Sequence, residues 1–301
     1  MRSVKKKGVF GDLRESFIHR LFQASGMLAI LILAGILALL IYTSVPAFKE
    51  IGFKEFLTST RWDPTSPEKP EYGFLSMLAS TVMITMGAML LAFPLGVAVA
   101  SYLSDVASPR VREIVKPIVE LLAAIPSVVV GFIGLTLVGP FLARIFNLSN
   151  GLNALNGSLL LAIMALPTII SISEDSLNAV PAAYSEASLA LGANVWQTLI
   201  KIKIPAAASG IIASLMLGMG RAIGETMTVL MATGNARAFP HGFLQSVRTL
   251  TANIAIELGE VPFFSTHYYA LFALGLVLFL ITFFINLSAD VILEKQKRKL
   301  Q

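Results

Sequence analysis

Long apolar stretches recur along the whole chain and dominate its pattern of hydrophobic and polar positions. Six of them reach about 20 residues, the length that a helix needs to cross a bilayer. They cover residues 21–45, 74–103, 118–143, 155–173, 205–233 and 268–291. The pattern therefore predicts an all-α polytopic membrane protein with six transmembrane helices.

Basic residues are distributed unevenly between the two sides of these spans. Fifteen of the 23 Lys and Arg fall on the side that holds both termini, seven fall on the other side, and Arg221 lies within a span. Because cytoplasmic loops are rich in Lys and Arg, we expect both termini in the cytoplasm and the loops 46–73, 144–154 and 234–267 outside. The first apolar run is longer than a signal-peptide core and is expected to remain as an anchor.

The two ends of the chain are basic. In residues 1–20, apolar residues at helical spacing lie among basic ones, namely Phe10, Leu13 and Phe17, with Leu21 following. This spacing is typical of an amphipathic helix at the membrane surface. A basic tail that only sets the topology is an equally supported alternative. Residues 293–301 are expected to form a basic cytoplasmic tail.

Composition excludes a soluble globular protein and several kinds of active site. Of the 301 residues, 55% are hydrophobic and 14% are charged, whereas soluble domains carry about 25% charged residues. The absence of cysteine excludes disulfides and thiolate metal sites, and only three histidines argue against a metal centre. The chain has no P-loop, zinc-protease or nucleophile-elbow motif. We therefore expect no cofactor, no catalytic residue and no nucleic-acid partner, and an external energy source for any transport.

Residues 174–204 are too polar for a span and too apolar for a flexible linker. Pro181 lies near the start of an expected helix and Gly192 just after its end, the usual order of these residues around a helix. Gly192 suits the left-handed conformation that ends a helix, and Asn194 suits the cap of a second helix that leads to Pro205. The segment therefore predicts a stiff helix–turn–helix at the cytoplasmic surface, able to transmit a push into the fifth span.

The same segment resembles the EAA loop of importer-type ABC transporter permeases, E-A-A-x3-G-x9-I-x-L-P. Here the motif consists of Glu186, Ala187, Ser188 and Gly192, followed at the same spacing by IKIP at 202–205. A serine and an isoleucine replace one alanine and one leucine of the family pattern. In that family the loop forms a coupling helix that docks into a groove of a separate ATPase subunit. The resemblance implies that Glu186, Ala187 and Gly192 couple this chain to an ATPase.

Three longer stretches resemble one subfamily, the phosphate-importer permeases of the PstC type. They are PIVELLAAIPSVVVGFIGL at 117–135, LPTIISISEDSLNAVP at 166–181 and LGMGRAIGETMTVLMATGN at 217–235. The sister family of PstA permeases shares a GRA-x-GET segment, but the run MTVLM before Gly234 and Asn235 is more similar to PstC. The resemblance implies the type I ABC importer permease fold, with a core over 74–292 that holds five spans and the coupling loop.

The resemblance also implies a function and a set of partners. The chain is expected to form half of the translocation path of an ATP-driven importer of inorganic phosphate, as a heterodimer with a PstA-like permease. A dimer of a PstB-like ATPase would supply the energy, and a PstS-like extracytoplasmic binding protein would deliver phosphate. The implied location is the plasma membrane of a bacterium or archaeon, and the chain itself is not an enzyme.

Two charged residues lie inside the fifth apolar run. Arg221 and Glu225 are four residues apart, so on a continuous helix they share a face and can pair. One charge at the bilayer centre costs roughly 2.5–3.5 kcal/mol, which favours the protein interior or a water-filled path. The pair either joins the span to its neighbours or contributes to a phosphate path, where a guanidinium supplies bidentate donors. The resemblance favours the path, and Ser127 after Pro126 is a further candidate for it.

Small residues and three acids are the remaining candidates at membrane depth. The small residues are Gly210, Ser214, Gly218, Gly220 and Gly224. Because small residues allow helices to approach closely, we expect this stripe to contact the second permease. The acids are Glu120, Glu174 and Asp175. They fall near the cytoplasmic ends of spans, so we expect ordinary helix-end charges at the interface.

The residues alone leave three other functions open. One arginine does not distinguish tetrahedral anions, so sulfate, molybdate or another oxyanion is an alternative substrate. An intramembrane enzyme would use Glu225 or Asp175 as an acid or base, although the sequence offers no clear second acid or histidine to face Glu225. A non-transporting membrane scaffold or sensor would need no ATPase coupling, so its function would survive the replacement of Glu186 by alanine.

Overall fold

The computed structural model describes the backbone of residues 9–67 and 69–300 and the side chains of residues 17–67, 69–292 and 294. Helices dominate this part of the chain. In chain order they are α1 (Val9–Ala47), α2 (Phe53–Thr58), α3 (Leu75–Asp105), α4 (Pro109–Ala124), α5 (Ser127–Ile133), α6 (Gly139–Ile145), α7 (Ala154–Asn178), α8 (Ala182–Ala190), α9 (Val195–Thr198), α10 (Ile204–Ala206), α11 (Ala208–Gly224), α12 (Met227–Ala232), α13 (Leu250–Glu257) and α14 (Thr266–Leu300). Strands β1 (Trp62–Asp63) and β2 (Glu71–Tyr72) form an antiparallel ribbon, and π-helical turns cover Phe48–Gly52, Gly134–Val138 and Leu199–Lys203.

Five helical segments in the described ranges are long and apolar enough to cross a bilayer. They are Phe17–Thr58, Leu75–Asp105, Ser127–Ile145, Ala154–Asn178 and Thr266–Ile292. A sixth candidate is a bent pair, Val195–Ala206 with Ala208–Gly224, whose two parts meet at 69°. The prediction of an all-α polytopic protein is confirmed, with six spans when the bent pair counts as one.

The third span starts later than the hydropathy pattern predicts. A single span over 118–143 is wrong, because α4 ends before Pro126 and a new helix starts at Ser127. Ile125 and Pro126 are extended, with ψ of 126° and 137°. Proline disfavours the helical conformation in the residue before it and lacks the N–H of a helical hydrogen bond. The helix before this break is therefore a separate element, and Val119 is its only buried residue.

The fifth apolar run is also interrupted. α11 ends at Gly224, Glu225 is extended with ψ of 131°, and α12 follows as a separate helix. Glycine is a poor helix former. The Glu225 carboxylate accepts a hydrogen bond of 3.2 Å from the backbone N–H of Thr228, which satisfies a donor at the start of α12. The prediction of one helical span over 205–233 is therefore wrong.

The main apolar core lies between α3 and α7. A Cβ atom at Gly96 of α3 would lie 2.6 Å from Ile169 Cγ2 of α7, so the two helices are in close contact there. Ser158 Oγ of α7 donates to the carbonyl oxygen of Ile84 at 3.2 Å. Buried residues such as Leu161 fill the interface around these positions. This helix pair is the scaffold against which α11 packs.

Three of the small residues of α11 face neighbouring helices of the same chain. A Cβ atom at Gly218 would lie 3.0 Å from Ile169 Cγ1 of α7, and one at Gly220 would lie 2.6 Å from Asn286 Oδ1 of α14. The Ser214 hydroxyl is 2.9 Å from a serine hydroxyl of α7. Helices α7 and α14 therefore cover Ser214, Gly218 and Gly220, whereas Gly224 is exposed. The expected contact of this span with a second permease stays a prediction.

The N-terminal segment belongs to the first long helix. From Val9 onward the backbone continues into the span without a break, so a separate surface helix is wrong for the described part of 1–20, while residues 1–8 lie outside the described residues. The apolar window of this helix is 0% buried within the chain, and α14 is the membrane helix that it contacts most. At the other end α14 runs to Leu300, so most of the basic segment 293–301 continues a helix.

Glu257 connects several segments that the sequence analysis placed in the outer loops. Its side chain is 6% exposed, and Oε1 accepts hydrogen bonds of 3.0 Å from both Arg237 and Arg248. Oε2 accepts from Trp62 Nε1 of β1 at 2.8 Å and lies 2.8 Å from His267 Nε2 of α14. Burial raises the pKa of this carboxyl, but the hydrogen bonds from His267 and Trp62 and the charge of Arg237 together lower it below its ordinary value of 4.5. An ionised Glu257 therefore stabilises the contact between these segments.

Replacing Glu257 by glutamine should lower the free energy of unfolding by about 1.5–3 kcal/mol, because hydrogen bonds to a charged group are lost. Since the folded-state pKa is lowered, the carboxylate contributes fully above its ordinary pKa and loses that contribution as the pH falls through the folded value. Thermal unfolding in detergent should therefore show an acid-induced loss of stability that is smaller in the variant than in the wild type.

Glu55→Gln is the matched control for this measurement. Glu55 pairs with Lys69 at 3.0 Å, but 73% of the lysine side chain and 46% of the glutamate side chain are exposed. Exposed ion pairs contribute at most about 1 kcal/mol. Equal destabilisation by the two substitutions would contradict the role assigned to Glu257.

Candidate substrate path and coupling surface

The break between α11 and α12 is held by hydrogen bonds from three helices. Thr251 Oγ1 of α13 donates to the Glu225 carbonyl oxygen at 2.8 Å, and Thr228 Oγ1 of α12 donates to the Ser127 carbonyl oxygen at 3.0 Å. With the Glu225 carboxylate on the Thr228 N–H, these bonds fix one conformation of the break. We call Ser127, Glu225, Thr228 and Thr251 the hinge cluster. The breaks in the third and fifth apolar runs thus meet at one place.

Arg221 lies one turn before the hinge cluster and is exposed on the surface of α11. Its Nη1 donates to Thr168 Oγ1 of α7 at 3.3 Å, the only hydrogen bond of this guanidinium within the described residues. The predicted pairing of Arg221 with Glu225 on one helix face is wrong. The helix ends at Gly224, so the spacing of four residues no longer puts the two side chains on one face.

The three predicted path residues therefore have different surroundings. Ser127 and Glu225 are half-buried, and Thr228 connects them, whereas Arg221 is exposed on the adjoining surface beside Thr168. A guanidinium has five N–H donors, of which Thr168 uses one. A charge at this depth of a span is expensive against lipid. This surface of α11 is accordingly suited to water or to a second protein chain.

Glu174 differs from the helix-end charge that the sequence predicts. Its side chain is only 3% exposed, and Lys116 Nζ of α4 lies 3.5 Å from Oε2. A buried carboxylate needs such a cation, because an unpaired buried charge is expensive. The expectation of an ordinary interface charge is therefore wrong for Glu174, which connects α4 to α7. Glu120 and Asp175 are exposed.

The helix–turn–helix predicted for residues 174–204 has the expected local structure, although it starts later than residue 174 because α7 continues to Asn178. Gly192 follows α8 with φ of +87°, and its N–H donates to the Leu189 carbonyl oxygen at 2.9 Å. Asn194 Oδ1 accepts from the Gln197 N–H at 2.8 Å, and Gln197 Oε1 accepts from the Asn194 N–H at 3.0 Å. The left-handed Gly192 and the Asn194 cap are confirmed. We call residues 182–203 the coupling module.

The coupling module exposes an apolar surface. α8 contains no buried residue, and both Glu186 and Ala187 are exposed. Large apolar side chains of the coupling module are exposed as well, among them Leu191 at 89% and Trp196 at 56%. Contiguous exposed apolar surface rimmed by polar residues is typical of a protein-interaction site. The geometry is that of a helix presented to a partner.

Several residues that position these two sites were not among the predicted site residues. Thr168 contacts Arg221 across 53 residues of chain, and Lys203 Nζ of the coupling module donates to Asp105 Oδ1 of α3 across 98 residues. Local spacing carries no signal for such distant contacts. The sequence contains one signal for Lys203. It is a basic residue between two isoleucines of the IKIP segment at 202–205.

Comparison with known proteins places the chain in a family. The family model described as "Binding-protein-dependent transport system inner membrane component" matches residues 92–300. The chain is 36% identical over 274 residues to the probable ABC transporter permease protein YqgH of Bacillus subtilis, covering 89% of this chain and 88% of that protein. It is 34% identical over 302 residues to the phosphate transport system permease protein PstC of Mesorhizobium japonicum, covering 94% and 91%. The resemblance to ABC permeases of the PstC type is confirmed at this level of identity.

Solved structures support the same fold. A bacterial ABC transporter involved in the import of the acidic polysaccharide alginate matches with a TM-score of 0.60 and 17% identity over 96% of this chain and 98% of that chain. An inward-facing MetNI methionine ABC transporter matches with a TM-score of 0.56 and 20% identity over 74% and 94%. The expected type I ABC importer permease fold is thereby confirmed. The chain belongs to the family of binding-protein-dependent transport system inner membrane components and is a multi-pass permease subunit of an ABC importer.

Proposed function

We propose that this permease subunit translocates inorganic phosphate, with Arg221 as a phosphate-binding residue of the path. The observation that carries the proposal is the exposed guanidinium at membrane depth with Thr168 as its one hydrogen-bond partner among the described residues. A guanidinium matches the geometry of a tetrahedral oxyanion and binds it through two parallel N–H donors. The relative from Mesorhizobium japonicum is named as a phosphate transport permease, which favours phosphate over other oxyanions.

Glu225 and Ser127 act beside Arg221 in this proposal. The Glu225 carboxylate lies at the hinge that follows Arg221, and it places a negative charge next to the path. That charge lowers the affinity for a passing anion, so binding remains weak enough for release. Ser127 lies on the other side of the hinge, where its carbonyl oxygen is fixed by Thr228.

The importer needs further protein subunits, because this chain alone forms only half of the proposed path. A second, PstA-like permease covers the exposed Arg221 surface and forms the other half of the path. A PstB-like ATPase dimer docks on the coupling module at Glu186, Ala187 and Gly192, and a PstS-like binding protein delivers phosphate on the opposite side. Both termini then lie in the cytoplasm, in agreement with the excess of Lys and Arg on that side.

The alternative functions have less support. Sulfate or molybdate would use the same guanidinium, and YqgH carries no substrate in its name, so a direct test of the substrate is needed. An intramembrane enzyme would use Glu225 as an acid or base, but Glu225 accepts hydrogen bonds from Thr228 and Thr251, neither of which is a second acid or a histidine. A scaffold would leave the apolar surface of the coupling module without a use.

ATP-driven uptake of labelled phosphate into proteoliposomes tests the proposal. The vesicles contain this chain, a PstA-like permease, the ATPase and the binding protein, with sulfate as a competitor. Saturable phosphate uptake that sulfate does not reduce is the expected result. Uptake of sulfate without phosphate would overturn the substrate assignment, and no uptake of either anion by an intact complex would overturn oxyanion import.

Replacing Glu186 by alanine should uncouple the permease from its ATPase. Glu186 is exposed on α8, a helix without buried residues, so the substitution leaves the packing of this chain intact. We expect phosphate uptake and the stimulation of ATP hydrolysis by the binding protein to fall by about tenfold, which corresponds to 1.4 kcal/mol. Unchanged uptake and stimulation would contradict the coupling role of Glu186. Glu55→Gln, in the segment between the first two spans, is the control and should have no effect.

A further inference from the structure

The last turn of α3 is a point at which three cytoplasmic elements meet. Arg112 of α4 donates through Nε to the Leu103 carbonyl oxygen at 2.9 Å and through Nη2 to the Ser104 carbonyl oxygen at 2.8 Å. The Ser104 hydroxyl donates to Asn178 Oδ1 at the end of α7 at 2.9 Å. A helix C-terminus leaves carbonyl oxygens without partners, and cations are favourable there. The turn therefore joins α4, α7 and α3 into one unit.

The coupling module contributes the next contact to this turn. Lys203 Nζ donates to Asp105 Oδ1 at 2.6 Å and lies 3.5 Å from the Ser104 hydroxyl. The two charged side chains are 11% and 18% exposed. Asp105 Oδ2 is buried and has no hydrogen-bond partner within the described residues. A carboxylate at a helix C-terminus is unfavourable by itself, so Asp105 depends on the Lys203 charge.

Lys203 lies in the π-helical turn just before the 69° bend that separates the coupling module from α11. A displacement of the module therefore reaches α11 through the covalent chain at the bend. The ion pair offers a separate route, from the module into α3. Because α3 packs along α7, this route ends on the helix that carries Thr168, the hydrogen-bond partner of Arg221.

We propose that the Lys203–Asp105 ion pair is a second mechanical link between the coupling module and the membrane helices, and that it moves α3 and α7 together with α11. The inference rests on the proposed coupling function. Without the ion pair, a displacement of the module would reach α3 and α7 only through the apolar packing of the bend and of α11 against them. With the ion pair closed, the two sides of the candidate path move as one body. The pair acts as a permanent strut, because opening it would leave the half-buried Asp105 carboxylate without its cation.

Charge removal on either side tests the strut in the reconstituted importer. Asp105→Asn and Lys203→Met should lower the number of phosphate ions transported per ATP hydrolysed by at least about fivefold, the lower end of typical coupling between linked sites. A purely structural pair would lower the amount of assembled complex and its thermal stability without changing that ratio. The double variant Asp105→Lys with Lys203→Glu restores the opposite charges and should recover part of the ratio.

Lys201→Met is the matched control, since Lys201 is an exposed lysine in the same π-helical turn. If Lys201→Met lowers the transport per ATP as much as Lys203→Met does, the effect comes from charge on the docking surface, and the strut is overturned. Unchanged transport per ATP in Asp105→Asn would overturn it as well. Wild-type vesicles measured in parallel separate this outcome from a failure of the proposed function, because only that failure abolishes phosphate uptake in the wild type.

A covalent replacement keeps the proposal testable if the charge variants do not assemble. The chain has no cysteine, so Asp105→Cys with Lys203→Cys can be joined selectively by a short bis-thiol-reactive linker. Restored transport per ATP in the linked protein, compared with the unlinked one, is the result expected of a strut. Transport that stops on linking would show that the contact opens during each cycle and would overturn the proposal.

Discussion

Replacing Arg221 by alanine is expected to reduce ATP-driven phosphate uptake by about 10- to 100-fold while the importer still assembles. Hydrogen bonds to a charged group contribute about 1.5–3 kcal/mol, and each 1.4 kcal/mol changes a rate or affinity tenfold. The Arg221 guanidinium is exposed, and among the described residues Thr168 is its only hydrogen-bond partner. Its removal therefore leaves no buried carboxylate unpaired and should not unfold the chain.

Two further variants separate the roles of charge and geometry at this position. Arg221→Lys keeps the positive charge but loses the planar fork, so we expect uptake between those of the wild type and the alanine variant. Thr168→Val removes the hydrogen-bond partner that Arg221 has among the described residues. It should reduce phosphate uptake less than Arg221→Ala does, because the charge remains. Full uptake by Arg221→Ala would exclude the phosphate-binding role, and loss of the assembled complex would instead favour the joining of span five to its neighbours.

Hydropathy predicts where apolar helices occur but not where they break. The two breaks that matter most here follow Ala124 and Gly224, inside runs whose hydropathy predicts one continuous span each. At the first break a proline provides the signal. At the second break the hydrogen bonds of Glu225 with Thr228 and Thr251 stabilise the extended residue. Thr251 lies 26 residues further along the chain, so the sequence pattern alone cannot reveal this contact.

The coupling module could be predicted in more detail because its signals are local. A left-handed glycine and a capping asparagine two residues later determine the turn by themselves, and both have the predicted conformations. The small residues of α11 show the opposite case. Their spacing indicates close helix packing correctly for Ser214, Gly218 and Gly220, but it does not say that α7 and α14 of the same chain are the partners there.

Replacing Gly192 by valine should abolish most of the coupling, with phosphate uptake reduced by more than about tenfold. Gly192 has φ of +87°, and a Cβ atom placed there would meet nothing within 4 Å. The penalty for a side chain is therefore a backbone penalty, about 1–2 kcal/mol for an ordinary residue in the left-handed region, and a β-branched residue is a particularly poor fit there. To avoid this backbone penalty, the turn must change φ at residue 192.

A change in φ at Gly192 would reorient α8 relative to α9. The Ser188 and Thr198 hydroxyls, now 2.9 Å apart, would separate, and Glu186 would no longer be presented in its present direction. Gly192→Asn is the matched control, because asparagine tolerates the left-handed conformation, and we expect it to retain most of the uptake and of the stimulated ATP hydrolysis. Gly192→Ala should lie between the two. All three side chains project into open space, so the variants differ only in how well they tolerate the left-handed backbone. Equal activity of the valine and asparagine variants would therefore mean that coupling does not depend on the conformation of this turn. The exposed surface of α8 alone would then determine docking.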